Sequence, residues 1–268
     1  MGAVDGATVT RYLRRIGWDG PPPPPDAASL RALHEAHLRA VPFENLSIHL
    51  GQPIVLEPEA VLAKLLDAHR GGFCYELNGA FGLLLGGLGY RVAFLSAQVF
   101  SGDQLSAPLD HMVLQVVAGR PWLADVGFGD HSLHPLALDD EEPQADPNGT
   151  FQLRPAPGGD VDVWRDGMAQ YRVDRRARRW SDFVPTCWWH QTSPESHFTR
   201  SLVCSLAVAG GRVTLSDRRL IETVDGRRHE RMLDRDEEVL AAYRDYFGIS
   251  LAGPPPHLPA GGGRAGRR

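Results

Sequence analysis

Arg70-Gly71-Gly72-Phe73-Cys74-Tyr75-Glu76-Leu77-Asn78-Gly79-Ala80-Phe81 lies between two helical patterns, and its reading organises the chain. Upstream, Val61, Leu62, Leu65 and Leu66 mark an apolar stripe at helical spacing, and Gly71-Gly72 is expected to stop that helix. Downstream, Leu77, Phe81, Leu84, Leu85 and Leu88 resume the helical period, which places Cys74 in the first turn of a new helix. A thiol there faces unpaired backbone N–H groups and the positive end of the helix dipole. Both favour thiolate, the nucleophilic form, so Cys74 is a candidate nucleophile with a lowered pKa. A buried structural cysteine is the ordinary fate of a single Cys; the turn, Glu76 and Asn78 argue for more.

The flanking chain changes texture once. Up to about Gly89 it reads as helical throughout. Val9, Tyr12, Leu13 and Ile16 form one stripe and Leu30, Leu33, His37 and Leu38 another. Asp26 or Ser29 caps the second helix, and the Pro21–Pro25 run acts as a spacer between the two. From Tyr90 the pattern is short β-runs: 90–100, 109–117, 122–126, 151–153, 161–164 and 171–173, punctuated by Gly, Pro and Asp. That spacing suits a small barrel or sandwich, with Asp139 to Asn148 as an acidic surface loop. A hairpin over 202–215 turning at Gly210-Gly211, strands 220–224 and 229–233, and a helix over 234–247 complete the chain before a Gly/Arg-rich tail expected to be disordered.

At 268 residues and 43% hydrophobic, the chain can bury a large core or several small ones. A net charge of −5 offers nothing to a nucleic acid. The sequence holds no signal peptide and no membrane-spanning apolar run; Leu83 to Leu88 is the longest stretch and glycines interrupt it. Three cysteines without a C-x-x-C pair give neither a disulfide framework nor a zinc site, and His190 with His197 has no metal spacing. The expectations are no metal, no nucleic acid, no membrane, a reducing cytoplasmic compartment, and an oligomeric state left open.

A nucleophilic thiol needs a base, and the base an orienting group. His111 begins the run 110–116, and Asp125 ends the run 122–126. Only the short link Ala118-Gly119-Arg120 separates these runs. Because side chains alternate faces, a three- or five-residue turn puts His111 and Asp125 on one face, and a two-residue turn separates them. An odd-numbered turn is therefore predicted. Either residue alone is an ordinary strand-end group; with Cys74 and Gly127-Phe128-Gly129 they form a Cys-His-Asp set suited to acyl transfer through a thioester. Backbone N–H groups near the helix start could hold the oxyanion, roughly 3–4 kcal/mol per donor. Cys204, mid-strand among apolar neighbours, and Cys187, beside two tryptophans, read as structural.

Arg70 to Asn78 resembles the active-site motif of the arylamine N-acetyltransferases. The same resemblance extends to Leu33-His34 through Val41-Pro42-Phe43-Glu44-Asn45-Leu46, to Asp110-His111-Met112-Val113-Leu114, to Asp125-Val126-Gly127-Phe128-Gly129 and to Thr192-Ser193-Pro194-Glu195-Ser196-His197-Phe198. These segments are in family order and span about residues 10 to 240. The resemblance implies an α+β fold with a cysteine-protease-like triad core. Its three parts are an N-terminal helical bundle (1–89) carrying the nucleophile, a central β-barrel-like domain (90–200) carrying His and Asp, and a C-terminal α/β lid (201–268). It implies a ping-pong transferase with Cys74, His111 and Asp125 at the triad positions. Acetyl-coenzyme A would be the co-substrate, no cofactor would be permanently bound, and the acceptor would be an arylamine, arylhydrazine or N-hydroxyarylamine. Phe43, Val99, Phe128 and Phe198 are the expected aryl wall; Gly127, Gly129 and His197 are expected in the cleft. Three alternatives stay open: an amide synthase of the same fold closing a macrolactam on a carrier-bound chain, a thiol hydrolase or transglutaminase-like enzyme acting on peptide or glutamine substrates, and a non-catalytic aryl-binding protein.

Overall fold

The computed structural model describes residues 4–256; the Gly/Arg-rich tail, 261–268, lies outside the described residues. Helices α1 (Gly6–Arg15) and α2 (Ala27–Ala40) are capped by Asp5 and Asp26, whose carboxylates accept from the Thr8 and Ser29 N–H groups, each at 2.8 Å. After them come β1 (Phe43–Glu44), α3 (Leu46–His49) and α4 (Pro58–Leu62), which runs on through a π-helical turn at Ala63–Asp67. Helix α5 (Cys74–Gly87) follows, and every residue from Cys74 to Leu85 is buried, as befits a helix that is apolar on all sides.

Two expectations for this region need correction. It is not helical throughout, because Phe43 and Glu44 pair antiparallel with Ser205 and Cys204 far along the chain. The helix before the nucleophile ends at Asp67, with His69 rather than a glycine in the left-handed conformation. A strand of two residues has no period to read, so only its distant partner defines it.

The middle of the chain gives β2 (Arg91–Ser101), β3 (Gln104–Leu105), β4 (His111–Ala118), β5 (Arg120–Ala124), β6 (Leu136–Ala137), β7 (Gln144–Asp146), β8 (Gly149–Pro155), β9 (Val161–Arg165) and β10 (Met168–Arg178). They form one sheet in the order β6-β5-β4-β2-β10-β9-β8-β7, with β3 paired to β2. Its two end strands are tied by a side chain: Gln144 accepts from the Ala137 N–H at 2.7 Å and donates back to the Ala137 carbonyl at 3.0 Å. The sheet thereby curls into a nearly closed barrel, and Asp139 to Asn148 is not merely a loop, since β7 lies within it. The interior is filled by Leu95, Val113, Leu123, Phe151, Val163 and Tyr171.

A 3-10 turn at Trp180–Phe183 leads into α6 (Val184–Thr192) and α7 (His197–Arg200), helices too short and too interrupted to announce themselves by period. The C-terminal sheet adds β11 (Val203–Val208), β12 (Gly211–Ser216), β13 (Arg219–Val224) and β14 (Arg227–Met232) to β1. Asp225 and Gly226, both at positive φ, supply the tight turn between β13 and β14. Helix α8 (Asp236–Phe247) packs Val239, Tyr243 and Phe247 against Leu46, Leu202 and Leu215. Among the described residues no helix is long and apolar enough to cross a membrane.

Candidate active site

Charge fixes the approach to α5. Glu44 on β1 is fully buried and accepts from Arg70 Nε at 3.0 Å and from the Leu46 N–H at 2.7 Å. Lys64 reaches across to Glu76 at 2.7 Å and lies 3.8 Å from Glu44. Glu76 in turn accepts from the Phe73 N–H at 3.2 Å, occupying one of the unpaired donors at the start of the helix. Burial opposes ionisation of Glu44, yet Lys64 and Arg70 hold its carboxyl below the ordinary value. Burial raises that of Glu76 despite Lys64. Four charged side chains thus pin residues 70–73, and Cys74 falls at the first helical position, 4% exposed.

The hairpin β4–β5 pairs Leu114 with Ala124 and Ala118 with Arg120 across the single residue Gly119. This is an odd-numbered connection, shorter than a three- or five-residue turn, and it leaves His111 and Asp125 on the same face. Asp125 lies one residue past the end of β5, diagonal to His111, whose Nε2 is 2.8 Å from Asp125 Oδ2 with both side chains buried.

Two further residues hold the carboxylate in place. Asn78, one turn along α5 from Cys74, donates to Asp125 Oδ1 at 2.9 Å and to the Met112 carbonyl at 2.6 Å. Its own carbonyl accepts from the Val126 N–H at 2.9 Å. His34 on α2 accepts at Nε2 from the Asp125 N–H at 3.1 Å, and its Nδ1 is 2.9 Å from the Leu133 carbonyl. The neutral Nδ1–H tautomer satisfies both bonds.

The electrostatics correct one expectation from the sequence. The Cys74 thiol is not lowered by its position: burial pushes it well above its ordinary value, and Asp110 and Asp125 add to the rise, against a contact with the Met112 backbone. A site this dry penalises the anion more than one helix terminus repays. Burial also works against Asp125, but the His111 charge and hydrogen bond, with help from His131 and Asn78, hold that carboxyl far below the ordinary range. Burial thus opposes a free thiolate at Cys74, while the Asp125 carboxylate stands beside the His111 ring.

Cys74 and His111 line one cavity of about 530 Å³ with Phe43, Val99, Gly127, Phe128, His197 and Phe198. Gly129 does not; it lines an adjoining space of about 750 Å³ that also touches Phe43, Phe128, His197 and Phe198. Gly129 stands at a φ of 94°, beside the Phe43 ring. Among the described residues no group of three or more His, Cys, Asp or Glu is arranged to hold a metal. Cys187 and Cys204 are free and buried.

The profile of a family described as N-acetyltransferase matches residues 26–254. The arylamine N-acetyltransferase of Mycolicibacterium smegmatis is 36% identical over 252 residues, covering 90% of this chain and 91% of its own. The chain belongs to the arylamine N-acetyltransferase family. A Salmonella typhimurium relative, named arylamine N-acetyltransferase / N-hydroxyarylamine O-acetyltransferase, is 37% identical over 200 residues, 72% of this chain and 71% of its own. The arylamine N-acetyltransferase of Mycobacterium marinum, solved in complex with CoA, superposes with a TM-score of 0.82 at 32% identity, covering 90% and 92% of the two chains.

Within this N-acetyltransferase fold several site residues escape sequence reasoning. Asn78 stands in the segment that carries Cys74, and its carboxamide among apolar helix neighbours is the signal. His34 lies in a family-like segment. Asp110, Trp189, His190, Glu195 and Arg200 line the cleft only because α6 and α7 fold back over it, and no local pattern announces that.

Proposed function

We propose that this chain moves the acetyl group of acetyl-coenzyme A onto arylamines, arylhydrazines or N-hydroxyarylamines through a thioester on Cys74. The observation that carries the reading is the buried His111–Asp125 bond of 2.8 Å in the wall of the cavity that holds Cys74. Relatives named for arylamine N-acetylation and a neighbour holding CoA support the choice of substrates.

His111 spends Nε2 on Asp125, which leaves Nδ1 for the thiol proton. As that proton moves, the Cys74 sulfur attacks the thioester carbonyl, the carbonyl electrons pass to oxygen, and backbone N–H groups at the start of α5 face the oxyanion. Collapse expels coenzyme A, which takes the proton from His111 and leaves acetyl-Cys74. Coenzyme A departs and the acceptor enters. An aromatic amine is largely neutral at pH 7, so its nitrogen attacks directly; His111 takes the proton it sheds and Cys74 leaves as the thiol form is restored. Phe43, Val99, Phe128 and Phe198 supply the apolar wall for the ring.

In the same reading residues 1–89, 90–200 and 201–268 act as three units, one presenting Cys74, one presenting His111 and Asp125, and the third, through its described residues, lining the adjoining space of about 750 Å³. Three free, buried cysteines suit a reducing cytoplasm as the place of action.

Mass spectrometry of the protein mixed with acetyl-coenzyme A and no acceptor tests the proposal. One acetyl group on Cys74, absent from Cys74→Ser, is the expected result. Labelling only from carrier-bound acyl chains would indicate an amide synthase. Aryl binding with no covalent intermediate from any donor would indicate a binding protein.

A further inference from the structure

The cavity that holds Cys74 does not end at Asp110. A second chamber of about 490 Å³, lined by Ser106, Ala107, Asp110, Pro185, Thr186 and Trp189, shares Ser106, Asp110 and Trp189 with it. Trp189, 40% exposed, lines both spaces. Its edge is held by His190, whose ring lies T-shaped to it at 5.2 Å.

Among the described residues, Asp110 is the only formally charged one lining the second chamber. Its backbone is anchored: the Tyr75 hydroxyl donates to the Asp110 carbonyl at 2.9 Å and to that of Leu109 at 2.8 Å. The adjoining loop is tied down where the Val99 N–H donates to Ser106 Oγ at 2.8 Å. The carboxylate lies 3.1 Å from His190 Nε2, also feels the neighbouring His111, and its side chain keeps 18% of its surface open. Burial works against its ionisation, but His190 and Ser106 outweigh it, so the group is an anion at neutral pH. Glu195 and Arg200, of opposite charge, line the first cavity and not the second.

We propose that the second chamber holds a cationic substituent carried by the acceptor on the side away from its reacting nitrogen, with Asp110 as counter-charge and the Trp189 ring as wall. An ammonium placed there gains a carboxylate and an aromatic face at once, while a carboxylate in the same place meets repulsion and no compensating donor charge. This inference rests on the acetyl-transfer reading and adds which acceptors that site prefers.

Three acceptors of similar shape test it: 4-(2-aminoethyl)aniline, 4-ethylaniline and 4-aminophenylacetate. Saturated carbons insulate the reacting nitrogen from the distal charge in each. At low salt, kcat/KM for the cationic acceptor should exceed that for 4-ethylaniline by roughly five- to tenfold, with the anionic acceptor below both. The cation-to-neutral ratio should fall towards one in Asp110→Asn and drop in Trp189→Leu, a change at an exposed position. Each ratio is taken within one variant, so a change in folded fraction or in overall rate cancels. A wild-type ratio near one, or a ratio that both variants leave unchanged, overturns the chamber assignment while 4-ethylaniline turnover keeps the acetyl-transfer reading. Absence of any turnover of 4-ethylaniline, with Cys74 unlabelled by acetyl-coenzyme A, overturns both.

Discussion

A Cβ added to Gly127 would stand 2.6 Å from the Cα of Cys74 and 2.7 Å from Nδ2 of Asn78. The loop after Asp125 and the first turn of α5 are thus in backbone contact, and this contact sets the distance between the thiol and the His111–Asp125 pair. Gly127→Ala must force the two apart. Overpacking of this kind destabilises by about 1–3 kcal/mol. The rate of Cys74 acetylation by acetyl-coenzyme A should fall much further, on the order of a hundredfold for a shift near 1 Å. Stopped acetylation assays well below the unfolding temperature, beside a melting curve, separate the two effects. A full acetylation rate would show that the contact has slack.

Asn78 answers three buried partners with one carboxamide. Asn78→Ala strands the Val126 N–H and removes a donor from Asp125, and should destabilise by about 1–3 kcal/mol. Asn78→Asp should be worse, because it sets a second carboxylate beside Asp125. Urea midpoints for the two variants check this order, and equal midpoints would refute the repulsion.

Stability should decline as pH drops from about 6.5 towards 4. His34 and His131 are buried, and burial pushes each imidazole down to about 4, with Asp125 opposing in both cases. Between those values the unfolded chain binds protons that the folded one refuses, so stability is full above the ordinary histidine value and is lost on acidification. His131 packs its ring on Phe128, Phe151 and Tyr171, so His131→Phe keeps an aromatic there and removes one such group. The slope of unfolding free energy against pH should flatten by up to roughly 1.4 kcal/mol per pH unit. An unchanged slope would mean that His131 accepts a proton without unfolding.

Arg70→Met should destabilise by about 3–5 kcal/mol, since it leaves the buried Glu44 carboxylate with the Leu46 N–H and a more distant cation, Lys64 at 3.8 Å. Glu44→Gln combined with Arg70→Met should recover part of that loss. A double-mutant cycle by urea denaturation measures the coupling, and strict additivity would show that the pair does not act as one.

The site was partly legible before any coordinates. Cys74 announced its helix start because one apolar period stopped at Leu66 and another began at Leu77, with a glycine pair between them. His111 and Asp125 could be matched by counting, since strand parity is a local rule. The thiol's environment was not legible: a helix terminus at the surface and one packed beneath α6 and α7 read alike, but burial of the second opposes the anion. Trp189 and Asp110 likewise share a wall only after residues 180–200 fold back.

Taken alone, the sequence determined where α2 and α5 begin, which residues of the β4–β5 hairpin face together, and which three groups to nominate for acyl transfer. These follow from periods and capping preferences that act over a few residues. The tertiary structure alone decided that Phe43–Glu44 joins a strand some 160 positions later, that Gln144 ties the two end strands of the barrel, and that burial opposes ionisation of Cys74. Pairing between distant segments and exclusion of water depend on what packs against a residue, and no local pattern encodes that.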